Sequence, residues 1–126
     1  MAVANMLKIL LVEDHQDLAA AMMVILDLLG HDARCGRSVA HAVELARERS
    51  FDVVLSDYAL PDGTALDVSS RLKSLGLPVP VILLTAHTRD YFAPDVQMSF
   101  AGFLQKPVDL DQLDAMLQNV VPSPAV

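Results

Sequence analysis

The sequence predicts an α/β fold: a doubly wound, five-stranded parallel sheet in the order 2-1-3-4-5, with helices on both faces. Three observations point there. Five short apolar, β-branched runs recur along the 126 residues, and most are apolar throughout rather than alternating, as strands buried on both faces are. Between them lie segments with apolar residues at helical spacing, so strands and helices alternate and right-handed crossovers must join parallel strands. The length, with 53% hydrophobic residues and a mean hydropathy of +0.40, suits one domain with a real core and is too short for two. Residues 1–121 are therefore expected to form a single domain, with PSPAV at 122–126 as a tail or linker.

The first strand is expected over Leu7–Val12, closed by the acidic pair Glu13-Asp14. A helix follows over His15–Leu29, where Leu18, Met22, Ile25 and Leu29 fall at helical spacing and Gly30 supplies the stop. His31–Gly36 is a weaker strand candidate. Ser38 can cap the second helix, whose inward stripe is Val39, Ala42, Val43 and Ala46. Asp52–Asp57 is the third strand, a buried run ending on a carboxylate. Leu60-Pro61-Asp62-Gly63 forms a turn, and Thr64–Leu75 returns to helix with Leu66, Leu72 and Leu75. Val81–Leu84 is the fourth strand, ending in Thr85-Ala86. Alternation predicts a helix within His87–Phe100, but Pro94 removes a backbone donor, so a short, shifted or irregular helix is expected. Ala101–Gln105 makes the fifth strand, Lys106-Pro107 ends it, and Asp109 caps a last helix with Leu110, Leu113, Leu117 and Val120 inward.

Charge and composition exclude several functions. A net charge of −7 argues against direct nucleic-acid binding, because phosphate backbones need clustered Lys and Arg. The longest apolar segment, Leu18–Leu29, carries Asp27 and falls short of the roughly 20 residues that span a bilayer, so no membrane span is expected. One cysteine, Cys35, cannot form an internal disulfide, and the N-terminus lacks a basic n-region, which together predict a cytoplasmic protein. Cys35 reads as a buried or edge-strand thiol rather than a nucleophile. His15, His31, His41 and His87 share no metal-ligand spacing, and His41 is expected to face solvent.

In the flavodoxin-like strand order, ligands collect beyond the carboxyl ends of the strands. There strands 1, 3, 4 and 5 deliver Glu13, Asp14, Asp57, Thr85 and Lys106 to one edge. Two carboxylates about 5 Å apart at an effective dielectric near 20 repel by roughly 3 kcal/mol, so the cluster calls for a cation. Mg²⁺ suits it, with Mn²⁺ as the alternative, because a hard ion takes carboxylates and a phosphate oxygen and needs no Cys or His. Asp14 and Asp57 are the expected ligands, with the backbone carbonyl of Ala59, and Glu13 acts through water. A phosphoryl group arriving at Asp57 meets the ion, the Lys106 ammonium and the Thr85 hydroxyl, which neutralise charge on its equatorial oxygens while the carboxylate acts as nucleophile.

The motifs LLVED at 10–14, SDYALPDG at 56–63, LLTA at 83–86 and QKP at 105–107 are jointly specific. With them the chain resembles, from about Leu7 to Val121, a response-regulator receiver domain of two-component phosphorelays. The resemblance implies that Asp57 is the phosphoacceptor, Glu13 and Asp14 the acidic pair for Mg²⁺, Thr85 the switch hydroxyl and Lys106 the phosphate-binding lysine before a cis Pro107. Phe103 takes the aromatic switch position without the tyrosine hydroxyl often found there, and Ala59 and His87 stand at positions that tune phosphoryl lifetime. The implied partners are a histidine kinase or histidine phosphotransfer protein and a downstream protein. The KPVDLDQL ending and PSPAV tail resemble receivers fused behind hybrid histidine kinases, so a receiver excised from a larger protein is favoured over a stand-alone regulator. Tyr91, Phe92, Val96, Met98 and Phe100 form an apolar segment where many transcriptional receivers carry charges for dimerisation, and core is the expected role of that segment.

Two other functions fit parts of the pattern. A phosphatase of the haloacid dehalogenase class also uses a strand-end aspartate with Mg²⁺, but needs a second Asp where this chain has Ala59. A degenerate receiver acting only as a binding scaffold is disfavoured because all five site positions are filled. No G-x-G-x-x-G or G-x-x-x-x-G-K-[ST] supports a dinucleotide or nucleotide carrier.

Overall fold

The computed structural model describes residues 6–121 and contains the expected sheet. Strands β1 (Lys8–Val12), β2 (Asp32–Gly36), β3 (Val53–Asp57), β4 (Val81–Thr85) and β5 (Gly102–Gln105) are all parallel. Their spatial order is β2-β1-β3-β4-β5, so the sequence order 2-1-3-4-5 holds. Register is fixed by pairs such as Leu11 with Leu55, Leu55 with Ile82 and Leu83 with Phe103.

The alternation of strand side chains divides the interior in two. Leu10, Val12, Val54, Val81 and Leu83 point to one face, where helices α2 (Val39–Glu48) and α3 (Ala65–Ser74) pack with Phe92 and Phe100. Ile9, Leu11, Leu55, Ile82 and Leu84 point to the other, covered by α1 (Gln16–Leu28) and α5 (Leu110–Val120). Because both faces are covered, the central strands are apolar at every position, the pattern by which they are recognised in the sequence.

Local signals set the helix boundaries. Ser38 accepts from the His41 N–H at the start of α2, and Asp109 accepts from the Gln112 N–H at the start of α5. Thr64 and Asp67 form a reciprocal capping box at α3. Gly30 (φ 87°) and Gly76 (φ 71°) take the left-handed conformation just beyond α1 and α3, which only glycine adopts cheaply. The Leu60–Gly63 turn is a tight hairpin between the two-residue strands Ala59–Leu60 and Gly63–Thr64. Between β4 and β5, Pro94 opens a helix rather than interrupting one: a 3₁₀ turn at Arg89–Tyr91 precedes the single-turn α4 (Pro94–Met98), with Pro94 at its first position, where no backbone donor is needed.

Three apolar residues of the expected helical patterns, among them Leu110, which was expected inward, face solvent. In α1 the buried face is Ala19, Met22 and Leu26, while Leu18 is 48% exposed. Leu75 falls past the end of α3 and lies exposed, and the buried residues of that helix are Ala65, Val68, Ser69 and Leu72. Leu110, the first residue of α5, is also exposed, because the first turn overhangs the sheet edge before Leu113 and Leu117 reach the core. The expected tail at 122–126 lies outside the described residues. Among the described residues no helix is long and apolar enough to cross a membrane.

Candidate functional site

The carboxyl ends of β1, β3, β4 and β5 converge as the strand order requires. Asp57 is the last residue of β3 and is 6% exposed, so its carboxylate sits at the floor of the edge rather than in bulk water. Glu13 follows β1 and is almost fully buried. Lys106 follows β5 and reaches back across the sheet: its Nζ lies 2.6 Å from Asp57 Oδ1 and 3.5 Å from Glu13 Oε1. The Lys106 backbone N–H donates to the carbonyl of Thr85, which ties the end of β5 to the end of β4. The peptide bond that follows, Lys106-Pro107, is cis, as the resemblance implied. Thr85 is itself buried, and its Oγ1 accepts from the His87 N–H at 3.1 Å. A pocket of about 330 Å³ opens over these groups, lined by Asp57, Ala59, Thr85, His87, Tyr91 and Lys106 among others.

Electrostatics follow from burial and crowding. Burial pushes the Asp57 carboxyl up to about 7, the neighbouring Glu13 adds to that, and Lys106 partly opposes it. Glu13 moves the other way: burial disfavours its charge, but hydrogen bonds with Asp57 and His15 and the Lys106 ammonium outweigh this and hold it low. Below about pH 7 the pair therefore carries one ionised carboxyl, on Glu13, and one protonated, on Asp57. Lys106 is held above its ordinary range despite burial, by its contacts with Asp57 and Glu13.

The donor set fits a hard divalent cation. Asp14 Oδ1 is a buried atom that receives no hydrogen bond, and the buried Asp57 Oδ1 has only its ion pair with Lys106. One ligand atom each from Glu13, Asp14, His15 and Asp57 lies within 4.8 Å of the others. A divalent cation held here would neutralise this cluster and offset the penalty on ionising Asp57.

Glu13, Asp14, Asp57, Ala59, Thr85 and Lys106 reach this edge, whereas Phe103 lies inside β5 away from it, and His15 joins the edge without having been expected. Its Nδ1 lies 3.2 Å from Glu13 Oε2 and 3.4 Å from Asp14 Oδ1, and its ring is pulled towards the protonated form by the hydrogen bond to Glu13 and the nearby carboxylates. Spacing among histidines could not show this, because its partners are the two acids beside it in sequence. The only available signal was position, one residue past an acidic pair at a strand end. The other histidines are separate: the buried His31 accepts from the Leu7 N–H, His41 is exposed, and the His87 ring stacks on Tyr91 at the pocket mouth with centroids 3.7 Å apart. Cys35 is half-buried on the edge strand β2, where burial pushes its thiol up, away from the reactive thiolate.

Phe103 on β5 is half-buried. Its ring packs against Phe92 and Phe100, with the Arg89 guanidinium 5.5 Å from the ring centre on its other flank. Of the apolar segment, Phe92 and Phe100 join the core as expected, whereas Tyr91 and Met98 are 65% and 84% exposed.

A parallel five-stranded α/β fold with acids, a hydroxyl and a lysine gathered at the strand ends is the arrangement of the receiver class that the sequence resembles. Comparison with known proteins narrows it: residues 9–118 match the response regulator receiver domain, and the chain belongs to that family. It is 34% identical over 115 residues to the response regulator protein PilR of Pseudomonas aeruginosa, covering 90% of this chain and 26% of PilR. Against the swarming motility regulation protein RssB of Serratia marcescens it is 32% identical over 115 residues, covering 90% of this chain and 52% of RssB. The chain thus spans about a quarter to a half of the length of these relatives. Among solved structures, a CheY-like receiver domain from Methylobacillus flagellatus matches with a TM-score of 0.84 at 25% identity, covering 92% of this chain and 99% of that one. The chemotaxis protein CheY4 of Vibrio cholerae, at 24% identity and a TM-score of 0.81, covers 92% and 99% and supports the same fold.

Proposed function

We propose that the protein accepts a phosphoryl group on Asp57 from a phosphohistidine of a histidine kinase or histidine phosphotransfer protein, in the cytoplasm, and that the new charge alters a face read by a downstream protein. The observation that supports this best is the Lys106 ammonium 2.6 Å from the buried Asp57 carboxylate, with Glu13 and Asp14 alongside. An Asp57 oxygen attacks phosphorus, the N–P bond of the donor breaks, and the electron pair returns to the imidazole, which takes up a proton. Lys106 stays beside the transferred group and offsets its charge, and the Thr85 hydroxyl, now an acceptor from His87, turns to donate to a phosphoryl oxygen. Asp14 and Asp57, with the Ala59 carbonyl and with Glu13 through water, would hold Mg²⁺ or Mn²⁺. Such an ion, when bound, supplies positive charge at the transferring phosphoryl group.

Movement of Thr85 frees the His87 N–H and the space towards which Phe103 swings. An aspartyl phosphatase acting on separate substrates is the weaker reading, because Ala59 has no proton to give a leaving group. Incubation with acetyl phosphate, with and without Mg²⁺, tests the proposal by intact mass. A metal-dependent phosphoryl adduct is expected on the wild type and none on Asp57→Asn. Labelling that needs no metal, or that survives the substitution, refutes it.

A further inference from the structure

We propose that His15 is a direct nitrogen ligand of the divalent ion, which makes the site a mixed nitrogen–oxygen site that favours Mn²⁺ over Mg²⁺. This rests on the metal-assisted reading above and adds to it a residue that sets which metal binds.

The geometry is that of adjacent ligands around one ion. With bonds of about 2.1 Å, neighbouring ligands of an octahedral cation stand about 3.0 Å apart and opposite ones about 4.2 Å. The His15 Nδ1 distance of 3.4 Å to Asp14 Oδ1 falls just above the adjacent value, and Nδ1 lies 3.2 Å from Glu13 Oε2, the carboxylate that reaches the ion through water. The 4.8 Å limit for the whole group closes on the opposite value with shifts of a few tenths of an ångström per side chain. Asp14 Oδ1, one of the two oxygens facing the imidazole, is buried and receives no hydrogen bond.

The imidazole and the Lys106 ammonium do not compete for the same oxygens. Lys106 approaches Asp57 Oδ1 and Glu13 Oε1, whereas His15 approaches Glu13 Oε2 and Asp14 Oδ1. The lysine can hold a phosphoryl group on one flank while the imidazole holds the ion on the other. His15 also occupies the N-cap of α1, where Ser, Thr, Asp or Asn ordinarily accept from the helix, and its side chain makes no capping bond. The ring is turned to the acids instead. With a 68% exposed side chain, it is free to tip onto an ion without repacking the core.

Ligand softness sets the preference. Mg²⁺ binds oxygen and gives up its waters reluctantly, so an imidazole beside it adds little. Mn²⁺, the weakest binder of the first-row order, shares the oxygen preference of Mg²⁺ but as a transition ion gains more than Mg²⁺ from one nitrogen donor among carboxylates.

The test is metal binding by the whole chain at about pH 8.5, above the ordinary imidazole range. Bound Mn²⁺ is read by the loss of the free-ion electron paramagnetic resonance signal, and Mg²⁺ by its displacement of Mn²⁺. Wild type is expected to show spin-echo modulation from a directly coordinated nitrogen. His15→Leu should abolish that modulation and weaken Mn²⁺ binding on the order of tenfold, the low end of what losing a group that supports a metal costs. Mg²⁺ affinity should stay within about twofold. Equal loss for both ions, or wild-type Mn²⁺ bound without a nitrogen ligand, overturns the proposal and leaves the phosphoacceptor reading standing. Failure of wild type to bind either ion overturns both.

Discussion

Asp57→Asn should stabilise the metal-free protein by an amount that grows as pH rises from about 4 to about 7. A carboxyl whose folded pKa is raised contributes stability that is complete below its unfolded value near 3.8 and is lost as pH rises through about 7. The shift of roughly three pKa units, at about 1.4 kcal/mol each, sets a ceiling of about 4 kcal/mol on that loss. Glu13 and Asp57 titrate as a pair and Glu13 moves down, so about half of the ceiling, roughly 2 kcal/mol, is the expected change for the substitution. At pH 5 folded Asp57 is protonated and only about a third of the loss, the part between the unfolded value and pH 5, has accrued; at pH 8 the wild type carries the buried charge and the variant does not. The assay is urea denaturation of both proteins in a chelator at the two pH values, so that groups common to both cancel. Saturating Mg²⁺ at pH 8 should reverse the ranking, since an ion at about a hundred times its Kd adds about 2.7 kcal/mol to the protein that binds it. A stability gap that does not change with pH, or a variant weaker than wild type at pH 8 in chelator, would mean that the Lys106 ion pair outweighs burial and would refute the reasoning.

Two further perturbations test how the site is held. Asp62 caps α2 from the hairpin loop, its two carboxylate oxygens accepting from the Val39 and Ala40 N–H groups at 2.7 and 3.0 Å. Asp62→Ala should lower the denaturation midpoint and Asp62→Asn should lower it less, because an amide oxygen replaces only one of the two acceptors. A Cβ added at Gly102 would meet the flexible Met116 thioether, which must swing aside, so Gly102→Ala should cost no more than about 1 kcal/mol. Met116→Ala should recover part of that, giving a non-additive double-mutant cycle that equilibrium unfolding measures.

The sheet and most of the site were legible in the sequence for one physical reason. Strands buried on both faces must be apolar throughout, so the polar residue that ends each run marks its carboxyl edge, and Glu13, Asp57, Thr85 and Lys106 all stand at or next to such an end. The inward face of α1 was not legible, because QDLAAAMMVILDL is apolar nearly all round and periodicity cannot choose between its sides. The sheet chooses, and it takes the side with the small Ala19, leaving Leu18, Val24 and Leu28 exposed. Asp62 was read only as part of a turn, because its helix partner lies 23 residues upstream. His15 was missed because its partners are adjacent acids rather than other histidines.

The segment between β4 and β5 shows why the expected irregularity bears on the switch. Pro94 limits the helix to one turn, so residues 87–100 are held less by a backbone ladder than by the buried rings of Phe92 and Phe100. Gln97 adds two ties, donating to the Phe92 carbonyl and accepting from Arg89 Nε, while Arg89 in turn flanks the Phe103 ring. Nearest the pocket, the segment is tied through Thr85 Oγ1, which accepts from the His87 N–H. In the proposed mechanism Thr85 turns to a phosphoryl oxygen and that first tie is released. Short elements with few buried contacts open at the least cost. In that mechanism the change at Asp57 would pass first into His87–Tyr91, and through Arg89 to Phe103, before it reached any helix packed on the sheet.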